Sequence, residues 1–204
     1  MKKVCIIVGA GECGGIMIEN RNNTLVIAAD AGYETLKRQN ISPDITIGDF
    51  DSLKKTPQTD NLILLPIEKD DTDMAAAVKE GLKQGCKTFY LYGGCGGRED
   101  HTFANYQLLL YIAEAGGCGF LIGETTVSTV IKNSSFSFDE EKRGVISVFA
   151  VGGEAVGVDI KGLKYKLENS VLEPSFPLGV SNKFIGEKSE ISVRNGALLI
   201  MFPR

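Results

Sequence analysis

Along the first 125 residues or so, short apolar runs alternate with longer segments of helical spacing. "KVCIIVG" (3–9), "TLVIAAD" (24–30), "DITIGD" (44–49), "NLILLP" (61–66) and "TFYLYGG" (88–94) are nearly continuous in apolar residues. Strands of that kind are buried on both faces, which is the habit of a parallel sheet covered by helices. Segments 72–84 and 101–115 supply helices. This half therefore predicts a doubly wound, mostly parallel, Rossmann-like α/β domain over residues 1–125. Near residue 125 the pattern changes. "TTVSTVIKNSSFSF", "GVISVFAVGG", "AVGVDIKGLKYKL", "SEISVRNG" and "ALLIMFP" are rich in Val, Ile, Ser and Phe, broken by glycine turns and free of helical period. Residues 126–204 predict an antiparallel β-sandwich or small barrel. No long linker, low-complexity segment or internal repeat separates the halves.

Composition narrows the function classes. The chain has 204 residues, 43% hydrophobic and 24% charged, which suits a globular protein with a proper core. A net charge of -4 offers no basic face for nucleic acid, so no nucleic-acid partner is expected. No apolar run reaches the roughly 18 residues of a membrane helix. The start "MKKVCIIVGAG" runs straight into strand-like sequence with no signal-peptide cleavage site, so a cytoplasmic protein is expected. Five cysteines with no C-x-x-C pair indicate neither a disulfide framework nor a zinc site.

The chemistry gathers at the carboxyl ends of the predicted parallel strands. Asp30 follows "LVIAA", Asp49 and Asp51 follow "ITIG", Asp70, Asp71 and Asp73 follow "LILLPI", and Asp100 follows "FYLYGGCG". In an open parallel sheet those ends share one edge, where ligands bind. In "IGDFDS" an extended chain would send Asp49 and Asp51 to one side and Phe50 to the other, and two adjacent carboxylates need neutralising. A carboxylate cluster with no cysteine ligand and a single histidine asks for Mg²⁺, which in turn favours a phosphate-bearing substrate. The loop "YGGCGGREDH" supplies the complement. Gly93, Gly94, Gly96 and Gly97 let backbone N–H groups approach an anion, the following helix offers its positive end, and Arg98 offers a planar fork. No Walker A pattern occurs. Taken singly, Asp73 and Asp100 read equally as helix-start acids, Asp51-Ser52 as a turn, and His101 as a helix-start hydrogen-bonding residue. Capping does not explain why all of them fall on one sheet edge. "GAGECG" (9–14) with Asp30 also fits a dinucleotide fingerprint, although "GIMIENRNNT" leaves little room for the helix it requires.

"ADAGYETL", "IGDFDSL", "KDDTDMAAAV", "GGCGGREDHTFAN", "GLKYKLEN" and "LGVSNKF" together resemble, in order and over nearly the whole chain, the thiamine pyrophosphokinase family. The resemblance implies Mg²⁺-dependent transfer of a diphosphate from ATP to the hydroxyethyl group of thiamine, giving thiamine diphosphate and AMP. It implies a homodimer whose thiamine pocket lies between the α/β domain of one subunit and the β domain of the other. Residue by residue, Asp49, Asp51, Asp73 and Asp100 match the acids that hold Mg²⁺ and polar substrate groups, with Asp30 another acid at that edge. Gly93, Gly94, Gly97 and Arg98, with His101 beside them, match the nucleotide loop. Ser181 and Asn182 match the strip facing thiamine. Asp71 or Asp100 would accept the hydroxyl proton. Some members stack a tryptophan on thiamine, and this chain has none; Tyr165 or Phe184 would replace it, or the ring is held differently. The alternatives are a diphosphokinase for another hydroxymethyl compound such as a pterin, an NAD-binding oxidoreductase, and a nucleotide-sensing module without turnover.

Overall fold

The computed structural model describes residues 2–50, 59, 61–66, 68 and 70–204. Asp51, predicted to share the metal, lies outside the described residues. Twelve strands among the described residues form one continuous sheet, in the order β10-β9-β12-β7-β6-β5-β1-β2-β3-β4, with β11 on β9 and β8 on β12. The first six are β1 (Val4–Val8), β2 (Thr24–Ala29), β3 (Ile45–Gly48), β4 (Leu62–Leu64), β5 (Thr88–Tyr92) and β6 (Cys118–Ile122). Their pairings with one another are parallel. Helices α1 (Gly32–Arg38), α2 (Asp73–Lys83) and α3 (Glu99–Glu114) connect them.

Why both faces of these strands are apolar is visible along β1. Cys5 and Ile7 face α2 and α3, packing with Ala77, Val78, Leu109 and Ile112. Ile6 and Val8 face the other way, toward Leu36 of α1 and the 13–18 segment. A strand covered on both sides has no polar position to offer, and each large buried side chain stabilises by roughly 1.5–3 kcal/mol. Between β1 and β2 the chain forms only a short 3-10 turn at Arg21–Asn23. No α-helix opens from "GAGECG", so the dinucleotide fingerprint lacks the helix N-terminus on which a pyrophosphate would sit.

The remaining strands are β7 (Thr126–Lys132), β8 (Ser135–Phe138), β9 (Val145–Lys161), β10 (Leu167–Leu172), β11 (Gly179–Lys183) and β12 (Ser189–Pro203). They are antiparallel, as predicted, but they do not make a separate sheet. β7 pairs with β6, so the hydrogen-bonded ladder runs unbroken across residue 125. β9 and β12 are long and pair with different strands at their two ends: β9 with β11 and β10, β12 with β8 and β7. Their mutual register shifts between Asn195 and Ala197. A bulge of this kind bends a strand pair, and both ends of β9 and β12 enclose one core of Ile146, Val148, Ile160, Val193, Ile200 and Phe202. No helix among the described residues is long and apolar enough to cross a membrane.

Candidate active site

Strand order reverses at β1, which has β2 on one side and β5 on the other. A crevice opens beyond the carboxyl ends of strands at such a point. Here it is a cavity of about 650 Å³, lined by the turn after β1 (Gly9 to Gly11), by the loop after β5 (Gly93 to Arg98) and by acids from neighbouring strands.

Asp30, Asp49 and Asp73 meet in this cavity. One carboxylate oxygen from each lies within 4.8 Å of the others, and all three are half-buried. Each arrives by a different route. Asp30 follows the last residue of β2 with φ +48°, a left-handed conformation that aspartate tolerates better than most residues. Asp49 follows Gly48 at the end of β3. Asp73 opens α2, yet Thr72 is the cap: its hydroxyl accepts from the Ala75 N–H at 3.1 Å. The N-cap role thus belongs to Thr72, and the Asp73 carboxylate is part of the oxygen cluster. Phe50, at φ +57°, is 4% exposed. It is anchored in the core, and the chain has left the extended conformation there, so strand alternation does not set the direction of Asp49.

Asp100 stands apart from these three. Its carboxylate pairs with Arg98, with Nη2 to Oδ2 at 2.6 Å and Nε to Oδ1 at 3.2 Å. The guanidinium hydrogen bond holds the Asp100 carboxyl below the usual carboxylate range and pushes Arg98 up. Asp30, a neighbour by strand order, takes the third place in the oxygen cluster. Asp71 lines the cavity with both carboxylate oxygens on Lys79 Nζ, at 2.6 and 2.7 Å. His101 also lines it, and its backbone N–H donates to Asp100 Oδ1.

The glycine loop is built to tight tolerances on its inner side. Gly93 has φ +63°, and its carbonyl accepts from the Gly11 N–H at 3.0 Å. A Cβ at Gly93 would stand 2.6 Å from the Gly9 carbonyl oxygen, so the two turns can touch only through glycine. Gly97 also lines the cavity, and a Cβ there would meet nothing within 4 Å. Thr72, Thr102 and Asn105 join the lining without having been singled out from the sequence. The cysteines are all free thiols, and burial pushes Cys95, beside the cavity, up.

Ser181 and Asn182 lie elsewhere. They sit on β11, which pairs with β9, and β9 is six strands from β2. At the usual spacing that is about 29 Å along the sheet. Asn182 is 4% exposed, and its amide clamps the Tyr165 backbone: Oδ1 accepts from the Tyr165 N–H at 2.9 Å and Nδ2 donates to the Tyr165 carbonyl at 2.7 Å. The Ser181 N–H donates to Ser147 Oγ. The clamp presents Tyr165 to solvent at 58% exposure, with Lys164 Nζ 5.3 Å from its ring centroid. Phe184 is 8% exposed and packs edge-on against Phe138. Of the two aromatics considered as a tryptophan substitute, only Tyr165 is available to a ligand. Phe184→Ala should instead cost about 3–5 kcal/mol of stability. Tyr165→Ala should leave the denaturant midpoint within the error of an exposed substitution, which urea unfolding of both variants checks.

Two family models match the chain, the thiamin pyrophosphokinase catalytic domain over residues 18–117 and the thiamin pyrophosphokinase vitamin B1 binding domain over residues 134–198. The chain is 26% identical over 186 residues to the thiamine pyrophosphokinase of Bacillus subtilis, covering 88% of this chain and 87% of the relative. It is 26% identical over 194 residues to thiamin pyrophosphokinase 1 of Caenorhabditis elegans, covering 89% and 79%. The crystal structure of the Geobacillus thermodenitrificans thiamin pyrophosphokinase superposes with a TM-score of 0.83 at 26% identity over 98% of this chain and 97% of that one. Two domain models of one family, matched in order on either side of the β6–β7 junction, show that this chain is an enzyme belonging to the thiamin pyrophosphokinase family.

Proposed function

We propose that the chain transfers a diphosphate from ATP to the hydroxyl of thiamine, releasing AMP, with Mg²⁺ held by Asp30, Asp49 and Asp73. The observation that carries this reading is the convergence of three carboxylate oxygens within 4.8 Å at the foot of a glycine loop. The donor set fits the ion: three hard oxygens, with no histidine or cysteine among them. When bound, Mg²⁺ supplies charge neutralisation on the polyphosphate.

The protein's own groups then divide the remaining work. Backbone N–H groups of Gly94 to Gly97 and the start of α3 receive phosphate oxygens. Arg98 exchanges its Asp100 partner for phosphate and stabilises charge building toward AMP. The thiamine hydroxyl oxygen attacks the β-phosphorus, and the bond from that phosphorus to the α,β-bridging oxygen breaks. Its electron pair leaves with AMP. The hydroxyl proton goes to a carboxylate beside the cavity, either Asp71, which lines it, or Asp100, which Arg98 releases on turning to phosphate. In-line displacement asks mainly for positioning and charge neutralisation, which is what this inventory offers.

Tyr165 and the β11 strip complete the pocket from a second copy of the chain. About 29 Å of sheet separates them from the acids of their own chain, and Phe176, Leu178 and Val180 leave an exposed apolar row beside them, as interaction surfaces do. Residues 1–125 thus act as the ATP- and Mg²⁺-binding part and 126–204 as the thiamine-binding and dimerising part. Incubation with ATP, Mg²⁺ and thiamine should yield AMP in step with thiamine diphosphate. Stoichiometric ADP would mean single phosphoryl transfer and would refute the reading. Turnover of a hydroxymethylpterin but not thiamine would move the reading to the other diphosphokinase class.

A further inference from the structure

We propose that Asn105 is the positioning residue that holds the glycine loop in the shape that receives the polyphosphate. This rests on the reading of that loop as the nucleotide cradle. Asn105 sits in the second turn of α3, 4% exposed, on a helix whose other buried positions Leu109 and Ile112 are apolar. An amide in such a place is costly unless it is hydrogen-bonded. Its Nδ2 donates to the Gly94 carbonyl at 2.6 Å, a short bond across eleven residues. The loop backbone rests directly on it: a Cβ at Gly94 would stand 2.9 Å from Asn105 Nδ2 and 2.8 Å from Leu121 Cδ1.

The opposite side of the loop is pinned as well. Gly93 gives its carbonyl to the Gly11 N–H, and Gly94 gives its carbonyl to Asn105. Two consecutive carbonyls are thus turned toward the protein, one on each flank. Consecutive peptides with their carbonyls held back are free to aim N–H groups at an anion. Beyond them, a Cβ at Gly96 or Gly97 would meet nothing within 4 Å among the described residues, so that end of the loop is open to a ligand. Asn105 therefore shapes the cradle without being a contact for the reacting atoms. Its loss should weaken nucleotide binding and spare thiamine.

Asn105→Asp keeps the shape and removes the donor, and Gly94→Ala crowds the same contact from the loop side. Amide hydrogen exchange of the full chain without nucleotide reads the loop itself. Binding of α,β-methylene-ATP with Mg²⁺ and steady-state kinetics read the consequence. The expected result is faster exchange confined to Gly94–Gly97, affinity for the analogue weakened by roughly tenfold, the loss of one hydrogen bond's worth, and thiamine KM changed by less than about twofold. Unchanged loop exchange overturns the proposal. Faster exchange with unchanged analogue affinity breaks the link to nucleotide and overturns the cradle reading with it, while the metal cluster and the reaction stand. Should Asn105→Asp exchange globally, Gly94→Ala decides alone: local loosening with weakened nucleotide supports the proposal, and wild-type affinity overturns it.

Discussion

Asp49→Asn and Asp73→Asn should each lower kcat on the order of a hundredfold or more while the fold persists. Three carboxylate oxygens within 4.8 Å of one another repel at neutral pH. Replacing one with an amide of the same shape takes one negative charge out of the cluster and leaves the side chain's size unchanged, so the variants should keep the cooperative unfolding of the parent. What they lose is a charged oxygen donor at a site with three. Mg²⁺ that binds only the folded state raises the midpoint of thermal unfolding. The parent should show this rise on adding Mg²⁺ and lose it with EDTA. Both variants should show little or none. Near-parental turnover in both, or an undiminished Mg²⁺-dependent rise, would remove the metal from these residues. Asp100→Asn is the instructive contrast. Asp100 is paired with exposed Arg98 and is no member of the oxygen cluster, so it should leave the Mg²⁺-dependent rise intact.

That contrast shows where sequence stopped being informative. The acids at strand ends were legible because parallel strands buried on both faces announce themselves as apolar runs, and the chain must exit each one at the same edge. Which acids converge depends on distances that strand counting does not contain. Asp30 joins the cluster because β2 and β3 are neighbours and Gly48 lies against the Asp30 backbone, whereas Asp100 is claimed by the guanidinium two residues before it. Helix α1 was missed: it spans seven residues and starts on glycine, too short for a helical period to emerge. β9 and β12 each read as two strands, because glycines at the bend look like turns although the ladder continues past them. Asn105 carried a faint signal, a polar residue at the i position of an i, i+4, i+7 face whose other members, Leu109 and Ile112, are apolar. Asn182 was singled out through the family resemblance as facing thiamine, but its clamp on Tyr165 had no signal; their spacing becomes a clamp only once β11 lies beside the 162–166 turn.

The second large effect concerns assembly. Asp73→Asn disables the acid site, and Tyr165→Ala removes the exposed ring that the Asn182 clamp presents. Tyr165 serves better than Asn182 as the second lesion, since Asn182→Ala would leave the Tyr165 backbone groups unpaired and confound binding with folding. If the pocket is completed across a two-fold axis, each heterodimer of the two variants carries one site with both lesions and one with neither. Equal amounts exchanged at random form heterodimers in half the population, so about a quarter of all sites are intact on symmetry grounds. Mixing two nearly inactive proteins should therefore recover about a quarter of parental activity at low thiamine, on the timescale of subunit exchange. Activity that stays at the sum of the separate variants, after exchange has been verified with differently tagged chains, would mean that each chain builds its pocket alone. In that case the roughly 29 Å of sheet between Tyr165 and the acids would have to be closed by curvature within one molecule, and the exposed row Phe176, Leu178 and Val180 would need another explanation.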